Sequence, residues 1–151
     1  MKVRICAVLC LMASAMFAKQ DLTGVWNMVA EKSDFGKLPA PTKIERTIAH
    51  KDPSLLIKTV QVGQQGEITS EYKYTTDGTE FSSTTRFGEV KGTAVWEGDD
   101  LVVKTKREVQ GATISTLERW SLGDGGKSLT VNSQITTPQG EFQYKIYFEK
   151  K

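Results

Sequence analysis

The chain has 151 residues, 38% of them hydrophobic and 25% charged, and a formal net charge of +2. That length suits one domain, and that composition excludes collagen-like and polar disordered chains. Lys2 and Arg4 carry the whole excess, so residues 19–151 hold 18 basic and 18 acidic side chains; the basic footprint of a nucleic-acid or anionic-membrane binder is absent.

In chain order, the first feature is Lys2 and Arg4 ahead of an apolar run from Ile5 to Met12, then small residues at Ala13, Ser14, Ala15 and Ala18. This layout predicts a secretory signal peptide over 1–18, cleaved after Ala15 or Ala18. The apolar run is shorter than the roughly 20 residues a spanning helix needs. The expected product is exported, to the periplasm or the medium, with no integral membrane association after cleavage. Cys6 and Cys10 both lie in this segment, and Leu9 is too bulky to precede a lipidated cysteine. Residues 19–151 contain no cysteine, so this single domain must rest on its packed core.

Within 19–151, Val, Ile and Thr number 34 against 13 Ala and Leu, a balance that favours strands over helices. The first strand is expected at 21–29, with Leu22, Gly24, Trp26 and Met28 on one face. Ala30 to Thr42, containing Pro39 and Pro41, is the one longer connection and predicts a lid or a single helical turn. A strand at 43–49 places Arg46 between Ile44 and Ile48. His50-Lys51-Asp52-Pro53 then reads as a turn with a solvated histidine. Strands follow at 55–62 and at 67–76, where Ile68, Ser70, Tyr72 and Tyr74 alternate with charged and polar residues. After Asp77-Gly78 come strands at 79–87, with Phe81, Ser83, Thr85 and Phe87 on one face, and at 90–97. A strand at 101–109 has Leu101, Val103, Thr105 and Arg107 inward, and Val102, Lys104, Lys106 and Glu108 on a solvated face. One at 112–122 places Ile114, Thr116, Glu118 and Trp120 together. Strands at 128–136 and 141–149 complete the series, the last carrying Phe142, Tyr144, Ile146 and Phe148.

Gly- and Asp-rich turns separate these runs at hairpin spacing. The fold class is therefore all-β: an antiparallel up-and-down meander of about 8–10 strands, with little helix. A sheet this long closes on itself rather than leave open edges.

Four pieces carry a resemblance: Gly24-Val25-Trp26-Asn27, Lys32-Ser33-Asp34-Phe35-Gly36, Trp96-Glu97-Gly98-Asp99 and Arg119-Trp120-Ser121-Leu122. Together with the meander they resemble the secreted bacterial lipocalin-like (calycin-type) proteins of unassigned function. The resemblance implies a lipocalin-like barrel over 19–151, with Trp26 closing one end and Arg119 packing over that tryptophan. The chain departs from typical lipocalins in ending on a strand and in its missing cysteines.

Catalysis has no support. One histidine, no adjacent nucleophile and no Gly-x-Ser-x-Gly elbow leave no catalytic candidates, and no metal site or cofactor is expected. The inward faces are instead unusually polar for a filled core. Two readings stay open: a wet, ligand-holding cavity, or charges seated at the barrel mouths or turned to the other face by bulges. On the first, the ligand-binding candidates are Arg46, Tyr72, Tyr74, Phe81, Phe87, Arg107 and Glu118. Phe81, Phe87, Ile135, Ile146 and Phe148 would line an apolar part. Arg46, Arg107, Tyr72 and Tyr74 would hold a carboxylate or similar head. Glu118 either pairs with Arg107 inside the barrel or leaves it free. The partner is then a small apolar or amphiphilic ligand. The alternative is a protein-interaction module, an envelope assembly factor or inhibitor, with a filled core.

Overall fold

Period-2 alternation of Val, Ile, Thr and aromatics with charged residues produces ten strands in the computed structural model, which describes residues 19–151. The expected signal peptide lies outside the described residues. The strands are β1 (Gly24–Met28), β2 (Lys43–Lys51), β3 (Ser54–Gly63), β4 (Gly66–Thr75) and β5 (Phe81–Thr85), then β6 (Gly88–Glu97), β7 (Asp100–Val109), β8 (Ala112–Gly123), β9 (Ser128–Thr137) and β10 (Gly140–Lys150). Each pairs antiparallel with its sequence neighbours except at two places. β1 and β10 join the chain ends into one sheet, with Trp26 opposite Lys150. Between β4 and β5 no ladder forms; there the Lys73 amide donates to Ser83 Oγ at 3.0 Å. The result is an all-β, nearly closed barrel, matching the expected class.

The interior is divided along the barrel axis. At one end Leu22, Trp26, Ile48, Leu55, Leu101, Val103, Trp120, Leu129, Val131 and Phe148 are fully enclosed and touch one another. Trp26 has no exposed surface, and its indole N–H donates to the Leu22 carbonyl at 2.9 Å. A buried tryptophan with its one donor satisfied makes a well-sealed plug. The turns after β3, β5, β7 and β9 mark the other end.

The long connection closes part of that other end. Ala30–Lys32 forms a single 3-10 turn, within the range expected for it. Asp34 then pairs with Lys145 of β10, and Phe35 stacks on Tyr144 with ring centres 6.1 Å apart. Gly36 turns at φ +57, its amide held by the Asp34 carboxylate at 2.8 Å. Leu38, Pro39 and Pro41 pass across the mouth.

Three expectations need correction. His50 lies in β2, not in a solvated loop, and its side chain is only 4% exposed. Its ring packs on Trp96 at 5.9 Å, and its Nδ1 accepts from the Leu22 amide at 3.3 Å. Val102 is buried although it points outward. It lies directly opposite Arg119, whose guanidinium spans to Glu97 at 2.7 Å and Asp100 at 3.1 Å. The aliphatic stem of such a clamp shields the strand beneath it. Arg119 is therefore an outer-face residue and does not pack over Trp26. That place is taken by Lys150, with its ammonium 5.3 Å from the indole.

Candidate functional site

Because the packed core fills only one end, the other end encloses a cavity of about 530 Å³. Its walls mix apolar side chains with polar ones that few cores contain. Ile44, Ile57, Ile68, Val90, Ile135 and Ile146 supply the apolar surface, and Arg46, Thr59, Tyr72, Tyr74, Arg107 and Glu118 the polar surface.

Each polar group arrives by strand alternation. Arg46 sits between Ile44 and Ile48 on the inner face of β2, directly across the ladder from Thr59 of β3. Its guanidinium lies 4.9 Å from the Trp120 ring and 5.2 Å from the Phe148 ring. Those contacts offset part of the desolvation of the charge. They do not supply an acceptor. Arg46 Nε and Nη1 are enclosed without any hydrogen-bond partner, and so is Thr59 Oγ1. A polar group left this way costs about 1–3 kcal/mol, and more when charged.

Glu118 is arranged differently. It lies on β8 two residues before Trp120, whose indole N–H donates to its Oε2 at 2.8 Å. Oε1 accepts from Ser133 at 3.2 Å and from Tyr144 at 3.5 Å. Three neutral donors thus hold the carboxylate, and neither arginine of the cavity forms an ion pair with it among the described residues. Burial pushes the Tyr74 hydroxyl up from its ordinary value, and the negative charge of Glu118 pushes it further, against the opposing charge of Arg46. Tyr144 is raised by the same burial and by the same carboxylate, again with Arg46 opposing. Both tyrosines stay neutral donors throughout the physiological range.

Six of the seven sequence candidates face the cavity: Arg46, Tyr72, Tyr74, Phe87, Arg107 and Glu118. Phe87 does so from the β5–β6 turn, where it is 47% exposed and belongs to the mouth. Arg107 is half-buried near the end of β7 and makes no hydrogen bond or ion pair among the described residues, so the pairing with Glu118 does not form. Phe81 is the exception. It stacks on Tyr74 with ring centres 4.3 Å apart and lies behind it, outside the cavity wall. Phe148 is likewise off the wall, fully buried beneath Arg46. Sequence reasoning missed Thr59, since a threonine among Val, Ile and Lys carries no signal of its own. The lid expected over Ala30 to Thr42 does bring Phe35, Leu38, Pro39 and Pro41 to the mouth, although none of the four stood among the ligand-binding candidates.

Among the described residues no group of three His, Cys, Asp or Glu side chains is placed to hold a metal ion. No helix among them is long and apolar enough to cross a membrane.

No protein-family model matches the chain, and no curated protein matches it. Solved structures do. A secretary abundant heat soluble (SAHS) protein from Ramazzottius varieornatus superposes with a TM-score of 0.65 at 12% identity, over 89% of this chain and 98% of that one. Zebrafish ileal bile acid-binding protein, complexed with cholic acid, superposes with a TM-score of 0.60 at 15% identity, over 86% of this chain and 98% of that one. At these identities the likeness establishes a calycin-like β-barrel fold.

Proposed function

We propose that this chain is an exported binding protein for a small, partly apolar ligand whose acceptor-rich head, anionic or carbonyl in character, is received by Arg46. The observation that carries this reading is the pair of enclosed, partnerless nitrogens of Arg46 on the wall of a 530 Å³ cavity. A folded protein keeps a buried cation without an acceptor at a net cost unless something else supplies the acceptor. A ligand carbonyl or carboxylate would do so, with Thr59 Oγ1 as a second waiting donor. The isoleucines of the wall would receive the apolar remainder. The cholic acid held by the zebrafish neighbour is a molecule of this general kind. Arg107, at the mouth, is the candidate for a second polar contact. A filled interaction module is the less favoured reading, because side chains leave this part of the interior empty.

The test is native mass spectrometry of protein purified from its own host, followed by displacement of a fluorescent fatty-acid analogue. A retained small molecule, and loss of analogue binding in Arg46→Met with stability preserved, is the expected result. An empty protein that binds no amphiphile would exclude the reading. Export rests on residues 1–18 alone; N-terminal sequencing of secreted protein should begin at Met16 or Lys19, and an intact Met1 in a membrane fraction would refute it.

A further inference from the structure

Two opposite charges meet the same indole without meeting each other. The Arg46 guanidinium lies over the face of Trp120 at 4.9 Å. Glu118 accepts from the edge of that indole at 2.8 Å. Both side chains border the one cavity, and both charges act on the hydroxyls of Tyr74 and Tyr144. Yet Arg46 keeps two enclosed nitrogens with no acceptor, while Glu118 draws its hydrogen bonds from Trp120, Ser133 and Tyr144.

This geometry bears on which head group fits. A carboxylate has acceptors only. Seated on Arg46, it would place a second negative charge in the same cavity as the Glu118 carboxylate, beside the same indole, where like charges repel. An aliphatic tail laid against Glu118 would strip water from a charge and return nothing. A donor placed beside the acceptor offsets both defects, because its hydrogen bond to Glu118 compensates the repulsion and replaces the lost water. The acceptor meets Arg46 and Thr59, and the hydroxyl or amine hydrogen meets the one acceptor site that Glu118 Oε2 keeps beside its bond from Trp120.

Building on the binding-protein reading above, we propose that the cavity selects amphiphiles whose head carries a hydroxyl or amine donor adjacent to its acceptor, with Glu118 as the residue that discriminates them from plain fatty carboxylates. Arg46 provides the anchoring charge, and Glu118 provides the sign of the selectivity.

Four probes with one common tail test this: dodecanoate, 2-hydroxydodecanoate, 2-aminododecanoate and dodecanol, each measured by calorimetry or by displacement of a fluorescent amphiphile. The 2-hydroxy and 2-amino acids should bind the wild-type protein about tenfold more tightly than dodecanoate, the scale of one hydrogen bond to a charged group. If only one of the two does so, the donor class is narrowed to hydroxyl or to amine. Glu118→Gln keeps a carbonyl for the Trp120 indole and removes the charge; it should strengthen dodecanoate binding and reduce the preference to about threefold or less. Dodecanoate binding as tightly as the 2-substituted acids in the wild type would overturn the selectivity while leaving the binding-protein reading intact. Binding by none of the four would overturn both. The wild-type series decides the matter even if Glu118→Gln fails to fold.

Discussion

Arg46 and Trp26 occupy adjacent strands, directly opposite one another, and contribute to opposite ends of the molecule's purpose. Trp26 is sealed in the packed end with its N–H bonded, so Trp26→Ala should lower the unfolding free energy by about 3–5 kcal/mol, the range for large aromatic deletions. Urea denaturation checks it; a loss under about 1 kcal/mol would mean the plug is not structural. Arg46 is half-buried, and two of its nitrogens are enclosed without an acceptor. Replacing it by Met, of similar reach and no charge, should leave stability unchanged or raise it by about 1 kcal/mol, because a half-buried cation with unpartnered donors is removed. The same urea experiment reads this, and a marked destabilisation would show that the stacking on Trp120 and Phe148 outweighs the desolvation.

Asp52 gives a pH prediction at the same scale. Burial raises its carboxyl, but hydrogen bonds from Lys19, Thr76 and His50 outweigh that and hold it down to about 2, from an ordinary 3.8. The folded-state value is the lower one, so the stabilisation is complete above about pH 4 and disappears as pH falls through about 2. Wild-type protein should therefore lose urea resistance between pH 4 and 2 more steeply than Asp52→Asn. Parallel slopes for the two proteins would remove Asp52 from the acid response.

At the scale of elements, the strands were readable because their two signals coincide. Glu67 to Tyr74 and Glu141 to Phe148 alternate cleanly, and glycine turns bracket them, so both the period and the stops point to the same boundaries. What failed to read depended on distant partners. His50 is followed by Lys51-Asp52-Pro53, a sequence that looks like a turn, yet β2 runs two pairs further, to Lys51, and carries the ring in against Trp96. Val102 obeys the alternation but lies directly opposite Arg119 of β8, a partner that nothing in its own strand announces. The inward side of Arg46 was legible from Ile44 and Ile48; its lack of an acceptor was not, since that depends on what β3, β8 and β10 bring to it.

The junction of β4 and β5 is the weak element. β5 has five residues, and a side-chain hydroxyl stands where a ladder would be. Amide hydrogens along the facing edges of β4 and β5 should exchange much faster than those in the β8–β9 ladder, where nine residue pairs are matched. Hydrogen-exchange mass spectrometry resolves the two regions, and equal protection would mean that the gap is bridged in solution.

At the scale of the whole molecule, cavity and packed core share one barrel, and ligand occupancy must therefore register in global stability. A ligand at one hundred times its dissociation constant should raise the unfolding free energy by about 2.7 kcal/mol, if it binds only the folded chain. Thermal unfolding with increasing 2-hydroxydodecanoate should show the midpoint climbing with concentration. A flat response would mean that the cavity stays empty.

The division of the interior also bears on how such a chain can change over time. Residues that keep the barrel folded, such as Trp26, Leu101 and Phe148, lie at one end, and the cavity-facing Thr59, Tyr72, Ile135 and Arg107 lie at the other. Substitutions in the second set remove little packing, so they spend little of a marginal stability reserve. On the binding-protein reading proposed above, ligand preference can then drift while the scaffold persists, and two descendants can diverge in cargo long before they diverge in shape. The same separation makes the hollow half a chamber that a protein engineer can refit without rebuilding the vessel around it.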